Sequence, residues 1–474
     1  MVVGDISTGT DVAVIGAGPG GYVAAIRAAQ RGLDTTLIER DAYGGTCLNY
    51  GCIPSKAFIH GSSLAWEAAN AEELGVHADP AVDMGQMQSW KSDVVDQLTG
   101  GVEKLCKANG VNLIEGTAKF TGENSLRVEH AGDGQGSETL EFERAIVATG
   151  SRPIQVPNFE FDAEPVLSSR GALALDTLPD RLVVVGAGYI GMELSTTFTK
   201  LGVDVTVVEM LDDVLPAYDD EVKRVIRKRA TELGVDFQFG EGAAGWHETG
   251  DGIVVQTETE DGETSEYATD RVLVAVGRQP VTDTLDVEEA GLEPDENGFL
   301  QTDDRARTER DHIFAVGDVA GEPMLAHVAS KEGIVAAEVA AGESAALDYQ
   351  AIPAAVFTDP EIGTVGMTAS EAEEAGFDPV VGEMPFNASG RALTTNHTEG
   401  FTKIVADGDT GFVLGGTVVG PEASELIGEI GLAVEMGATL EDLGSTIHTH
   451  PTLSETVMEA AENAEEQAIH TLNR

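Results

Sequence analysis

Three observations predict the fold class. Two strand–glycine loop–helix fingerprints share one internal spacing, an acidic residue closes the strand after each, and the pattern changes after about residue 345. They predict an α/β chain of two Rossmann-like dinucleotide-binding units with inserted β-meanders, followed by a C-terminal α+β domain. With 474 residues the chain is too long for one ordinary core and suits about two to four domains.

The first unit opens with a buried-strand pattern, DVAVIG, over residues 11–16. Gly16, Gly18 and Gly21 then lead into a helix, and the strand DTTLIE ends at Glu39. Glycines there let backbone approach a pyrophosphate at a helix N-terminus, and the acid accepts from a ribose hydroxyl. A lone fingerprint is equally a glycine-rich turn without a ligand; the flanking strand, helix and acid set this one apart. Residues 105–140 supply strand pieces, VNLIEGTAKF and SLRVEH, with a turn-rich loop, AGDGQGSE, after them. The strand in AIVATGSRP closes the unit with Thr149 and Gly150.

The second unit repeats the plan. RLVVVGAGYIG carries Gly186, Gly188 and Gly191, and DVTVVE ends at Glu209. VDFQFG, GIVVQTET and SEYAT read as a second meander, and VLVAVGRQP closes the unit at Gly277. Met210, Leu211, Asp212 and Asp213 follow Glu209 with no cation to meet a 2′-phosphate, so NAD is favoured over NADP. Further on, a strand runs into Gly317-Asp318 and then a helix. Asp318 is read either as holding a ligand hydroxyl or as a helix N-cap.

Cys47 and Cys52 lie in GGTCLNYGCIPSK, between glycines and just before a helical pattern. A helix N-terminus favours a thiolate, and a C-x4-C pair there can close to a disulfide and reopen. Two packed structural cysteines are the plainer reading. The third cysteine, Cys106, sits in the helical pattern VEKLCKANG and is assigned to packing. Three cysteines do not make a secreted disulfide scaffold.

The net charge is −54, from 28 Lys+Arg against 82 Asp+Glu. Nucleic acid and anionic membrane surfaces are disfavoured as partners, because both repel such a chain. The acid is spread along patterned apolar strands, which argues against disorder and for a solvated surface suited to a high-salt cytoplasm. No signal peptide, transmembrane helix or metal site is expected, and the location expected is cytoplasmic.

The C-terminal domain alternates strands (AAVFTDPEIGTVG, GFTKIVAD, GFVLGGTVVG) with helices (SELIGEIGLAVEMG, SETVMEAAENAEEQAIH). Near its end lies HTHPTLSE, with His448, His450 and Glu455. Glu455 is at helix-like spacing from His450 and is placed to hold one imidazole nitrogen; an incidental surface loop is the alternative.

Taken together, GGTCLNYGCIPSK, ATGSRP, both fingerprints, the AVGD stretch and HTHPTLSE span essentially the whole chain. The sequence resembles the flavin-dependent pyridine nucleotide-disulfide oxidoreductases, and within them the lipoamide-oxidising branch. The resemblance implies FAD on the first fingerprint, with Glu39 on the adenosine ribose and Asp318 on the ribityl chain. It implies a redox disulfide in which Cys47 exchanges with substrate and Cys52 lies against the flavin. Lys56 and Glu193 would pair near the flavin's reactive edge, and His450, oriented by Glu455, would be the acid–base of the opposite subunit in a homodimer. Further cofactor contacts are implied at Arg40, Gly45, Thr46, Lys56, Thr149, Gly150, Tyr189, Ile190, Gly277, Arg278 and Ala326. Tyr50 and Tyr189 stand where that branch often has aliphatic residues, and Tyr189 is similar to the gating aromatic of glutathione reductase-like enzymes. His448 is left structural or secondary.

The implied domains are residues 1–150 for FAD, 151–277 for NAD, 278–347 completing the FAD domain, and 348–474 for dimerisation. The implied activity is oxidation of dihydrolipoamide, free or on a lipoyl domain of a 2-oxoacid dehydrogenase-type complex, with NAD⁺ as acceptor. The alternatives are an NAD(P)H-dependent reductase of another small disulfide and a docking flavoprotein with little turnover.

Overall fold

A computed structural model describes residues 6–132, 136–161 and 164–473. Residues 133–135 of the predicted turn-rich loop and the first five residues of the N-terminal stretch lie outside the described residues.

β1 (Ile6–Ile15) starts upstream of the DVAVIG pattern. Its polar lead-in, Ile6 to Thr10, is held by parallel pairing with Glu138 to Phe142 and has no apolar alternation to announce it. α1 (Pro19–Gln30) begins with Pro at its first position, where the fixed φ suits a helix start, and buries Ala24, Ala25 and Ala28. β2 (Thr35–Glu39) lies parallel to β1. Then come α2 (Gly45–Tyr50), α3 (Cys52–Ala69) and α4 (Met84–Ala108), the last capped by the Asp83 carboxylate on the Gln86 N–H at 3.0 Å. β3 (Asn112–Gly122), β4 (Ser125–His130) and β5 (Ser137–Val147) complete a circuit. β1 pairs with both β2 and β5, β3 pairs with β2, and β4 runs antiparallel to β3 and β5. Cys106 is fully buried in the core under this sheet.

β6 (Ser151–Pro153) carries the chain across to the second unit. There follow β7 (Val166–Leu167), α5 (Ser169–Leu173), β8 (Arg181–Val185), α6 (Tyr189–Lys200) and β9 (Asp204–Glu209). α7 (Asp220–Leu233) buries Val222, Ile226, Ala230 and Leu233 along one helical stripe and ends at Gly234, whose φ of 115° lies in the left-handed region. β10 (Asp236–Phe239), β11 (Glu241–Thr249), β12 (Gly252–Thr259), β13 (Thr264–Thr269) and β14 (Arg271–Val274) finish the unit. Its sheet has the order β10-β9-β8-β14-β7, all parallel. VDFQFG is therefore not part of the second meander. β10 joins the parallel sheet beside β9, and the antiparallel meander is β11-β12-β13, with β11 drawn from a stretch that lacks a strong strand pattern.

β15 (Arg278–Pro280) returns beside β6, antiparallel to it. β16 (Ile313–Ala315) then adds to β5 of the first sheet. α8 (Ala326–Ala340) packs so closely on α1 that a Cβ on Gly333 would lie 2.4 Å from the Gly20 carbonyl oxygen.

The C-terminal region contains β17 (Ala354–Val356), β18 (Glu361–Gly366), α9 (Ala369–Glu374), β19 (Pro379–Pro385), α10 (Gly390–Thr395), β20 (Phe401–Asp407) and β21 (Val413–Gly420). Three helices follow: α11 (Ala423–Met436), α12 (Leu440–Ser445) and α13 (Glu455–Ala464). The sheet is antiparallel, in the order β17-β18-β21-β20-β19. AAVFTDPEIGTVG is thus two strands with a turn between them, and β19 is a strand that the sequence reading passed over.

One core joins all three regions. Phe58 of α3 packs in a cluster with Leu182, Val205 and Ile226 of the second unit and with Val356, Ile362 and Phe401 of the C-terminal sheet. Scarce cations fasten the same junction. Lys200 and Arg229 reach Asp359 at 2.9 and 3.1 Å, Lys228 meets Glu399 at 3.1 Å, and Lys403 pairs with Glu221. With 82 Asp+Glu against 28 Lys+Arg, most acids have no cation to pair with. At molar salt the screening length is about 3 Å, against about 30 Å in 10 mM salt. The expected result is a melting temperature that falls on dialysis from molar to millimolar salt, with a smaller particle by size exclusion. Unchanged melting and size across that range would refute it.

Among the described residues, no helix is long and apolar enough to cross a membrane.

Candidate active site

A cleft of about 440 Å³ runs from the first glycine loop to the cysteine pair. Gly18, Glu39, Arg40, Gly45, Thr46, Cys47, Cys52, Lys56, Thr149, Gly150, Tyr189, Ile190, Glu193, Arg278, Asp318 and Ala326 all border it. Gly18 caps α1 with no side chain on the free N–H groups, and a Cβ built on it would meet nothing within 4 Å. Those donors face open space suited to an anion. Gly45 closes the floor: its φ is 59°, and a Cβ there would lie 2.6 Å from the Gly18 Cα. Gly16 and Gly21 instead pack on each other and tighten the turn; a Cβ on Gly21 would stand 1.8 Å from the Gly16 carbonyl oxygen.

The two fingerprint acids are gripped alike. Glu39 accepts from the Ala17 N–H at 2.7 Å and the Asp41 N–H at 2.8 Å, while Glu209 accepts from Ala187 at 2.6 Å and Leu211 at 2.9 Å. Gly188 likewise caps α6 over open space. Gly186, Gly188, Gly191, Glu209 and Gly277 do not border the cysteine cleft. They lie on the second unit's own turns, beside which Tyr189, Ile190 and Arg278 reach the cleft.

Cys52 is the first residue of α3 and Cys47 the third of the short α2, so each lies in the first turn of a helix. Both are free thiols. The pair shares one proton. A hydrogen bond from Cys47 draws the Cys52 thiol down to about 7, opposed by desolvation from the surrounding protein and helped by the Lys56 charge; the residue itself is exposed to the cleft. The same contact, with burial, pushes the Cys47 thiol up. Both shifts run toward a proton on Cys47 and a thiolate on Cys52.

Lys56 Nζ lies 3.1 and 2.8 Å from the two carboxylate oxygens of Glu193, which is 4% exposed, and 4.4 Å from the centre of the Phe357 ring. The Phe357 N–H donates to Glu193 at 2.9 Å. Asp318 belongs to a short helical turn and is not an N-cap; its carboxylate accepts from Ser151 Oγ. Arg278 donates to that hydroxyl and to the Ser151 carbonyl, both at 2.7 Å. Desolvation by the surrounding protein pushes the Tyr189 phenol up to about 12, although the residue is 45% exposed along the cleft wall. Ser151, Phe357 and the Arg170 guanidinium, stacked 3.5 Å from the centre of the Tyr50 ring, were missed from the sequence. Ser151 was the findable one, since it follows Gly150 directly.

His450 and Glu455 lie apart from this cleft. His450 is in a loop and not on the helix with Glu455, so their spacing is not helical. Its Nδ1 is 2.8 Å from Glu455, the first residue of α13, and its ring is 79% exposed. Glu455 also accepts from the Thr452 N–H at 2.8 Å, and these bonds outweigh burial to hold its carboxyl below the usual range.

Residues 10–333 match the pyridine nucleotide-disulphide oxidoreductases, and residues 352–461 match the dimerisation domain of that family. The chain belongs to this family, whose members are oxidoreductases that use FAD and NAD(H). Among its relatives, it is 73% identical over 475 residues to the dihydrolipoyl dehydrogenase of Haloferax volcanii, with 100% of both chains covered. It is 70% identical over 474 residues to the enzyme of the same name from Halobacterium salinarum, again with 100% of both covered. Both organisms are halophilic archaea. The crystal structure of LpdA from Mycobacterium tuberculosis superposes with a TM-score of 0.88 at 33% identity, covering 95% of this chain and 99% of that one. The open N–H donors at Gly18, the acid at Glu39 and the cleft that runs from them down to Cys52 fit FAD.

Proposed function

We infer that the chain oxidises dihydrolipoamide to lipoamide with NAD⁺ as acceptor. The observation that carries this is the unequal cysteine pair at the foot of a dinucleotide cleft. Bound FAD supplies what no side chain has, accepting an electron pair from sulfur and passing hydride to nicotinamide. The chain's own residues perform the exchange. In the oxidised pair, a substrate thiolate attacks Cys47, because this expels Cys52, the sulfur with the lower pKa and the better leaving group. A substrate–Cys47 disulfide forms and the Cys47–Cys52 bond breaks. The second substrate thiol, deprotonated in turn, attacks its sibling sulfur and releases cyclic lipoamide and reduced Cys47. Lys56 steadies the Cys52 thiolate, with Glu193 holding the ammonium in place.

His450 of the partner subunit takes the substrate proton, with Glu455 stabilising the imidazolium. The residues 352–461 that match the dimerisation domain contain both groups, which supports a homodimer with shared sites. Asp318 and Glu39 are assigned to FAD, and the Gly186–Glu209 loop to NAD. The acid run after Glu209 repels a 2′-phosphate. A cytoplasmic enzyme serving a lipoyl carrier, on the four-part division into 1–150, 151–277, 278–347 and 348–474, completes the reading.

Anaerobic titration of the yellow protein with dihydrolipoamide tests it. A long-wavelength thiolate–flavin band should develop, and NADH should appear on adding NAD⁺. Reduction by glutathione and not by dihydrolipoamide would overturn it. A narrower check concerns the proton. Because the Cys52 value is lowered, its thiolate persists to more acid pH than a free thiol. The ultraviolet thiolate absorbance of the reduced protein should rise through an inflection near 7 that Cys52→Ser removes. An inflection that survives in that variant would assign the thiolate elsewhere.

A further inference from the structure

The loop between α12 and α13 presents two histidines in opposite senses. Ile447 is 96% exposed, the His448 ring 6% and the His450 ring 79%. Successive alternate residues of an extended segment share a face, so a common outward direction for both rings would be the simple outcome. The chain departs from it because His448 is fastened inward. Its Nδ1 lies 2.8 Å from the carbonyl oxygen of Thr446, and its Nε2 lies 2.7 Å from Glu429 Oε1 on α11. Both nitrogens face oxygen acceptors. His450 is held at Nδ1 alone, and among the described residues no hydrogen bond reaches its Nε2. One ring is a fastener; the other keeps a nitrogen for chemistry.

Glu455 sets the rotation of the His450 ring from the start of α13, which packs on β19 and β20. Glu429 adds a second anchor on another element. It belongs to α11, which packs on β18 and β21 within the segment matching the dimerisation domain. The His448–Glu429 bond therefore ties the loop to the sheet on the N-terminal side of His450, as Glu455 does on the C-terminal side.

We propose that His448 is a positioning residue for the reaction: through Glu429 it fixes the place from which His450 reaches the cysteines of the other subunit. The proposal rests on the functional reading above. Its effect is geometric, and a displacement of about 1 Å at a reacting group can cost about 10²-fold in rate.

The experiment uses the holoenzyme dimer. His448→Ala and, as a milder cut of the same bond, Glu429→Gln should each lower the kcat of dihydrolipoamide oxidation by about tenfold to hundredfold. His448→Gln, which keeps a donor within reach of Glu429, should restore most of it. Electron transfer from NADH to ferricyanide, which needs no thiol deprotonation, should be unchanged in all three. Adding His448→Ala to a His450→Gln background should cause no further loss, since the lever would have nothing left to place. A fall in ferricyanide turnover in parallel, an additive loss in the double variant, or a change below about twofold in both single variants would overturn the proposal. If His450→Gln itself left turnover intact, the functional reading would fall first, and that result is separate from the other three.

Discussion

Cys47→Ser is expected to abolish dihydrolipoamide turnover and leave a yellow protein. Serine cannot form the disulfide through which the substrate's electron pair enters, so the loss should be on the order of 10⁴-fold or more, as for other removed nucleophiles. Binding of FAD should survive. The Gly18 donors, Glu39 and Asp318 lie on other elements, and a serine hydroxyl at position 47 still donates toward Cys52, so the remaining thiolate stays favoured. The measurement is steady-state lipoamide turnover beside the flavin content per chain. A variant retaining a tenth of the turnover would remove Cys47 from the exchange.

His450→Gln should slow the same reaction by about 10²–10⁴-fold, the usual cost of losing a general base, which is a barrier increase of about 3–5 kcal/mol. Glutamine can keep a donor on Glu455, so the loop should hold its shape while the proton has nowhere to go. The deficit should shrink as pH rises toward the thiol range of the substrate, because hydroxide then does in solution what the imidazole did in the site. A rate within about threefold of the parent at neutral pH, or a deficit independent of pH, would exclude His450 as the base.

The two nucleotide loops were legible because their chemistry is local. Gly18 and Gly188 must leave donors open, Gly21 and Gly191 must pack on the turn, and an acid must end each following strand; each demand falls on a single residue type at a set spacing. The path of the chain between the units was less legible. Ser151 and Arg278 meet only because β6 and β15 run side by side, and no periodicity marks strands that short. β11 and the lead-in of β1 were missed for a related reason: pairing with a neighbour, more than apolar alternation, makes them strands. His448 and Glu429 are distant in sequence, and a histidine in a polar loop gives no sign of which way it turns. The assignment of His450 to a partner's site came from resemblance alone, because a single chain carries no sign of what a second copy would receive from it.

The common core beneath Phe58, Ile226 and Phe401 has a bearing on engineering. A nucleotide unit cut from this chain would carry a raw apolar wound where its neighbours had been, and one transplanted from a homologue would bring a surface shaped for other neighbours. Recombining whole modules is thus a poor route to a new cofactor preference here. Point replacement in the Glu209–Asp213 turn, which lies outside that shared interior, leaves the three-way seam undisturbed.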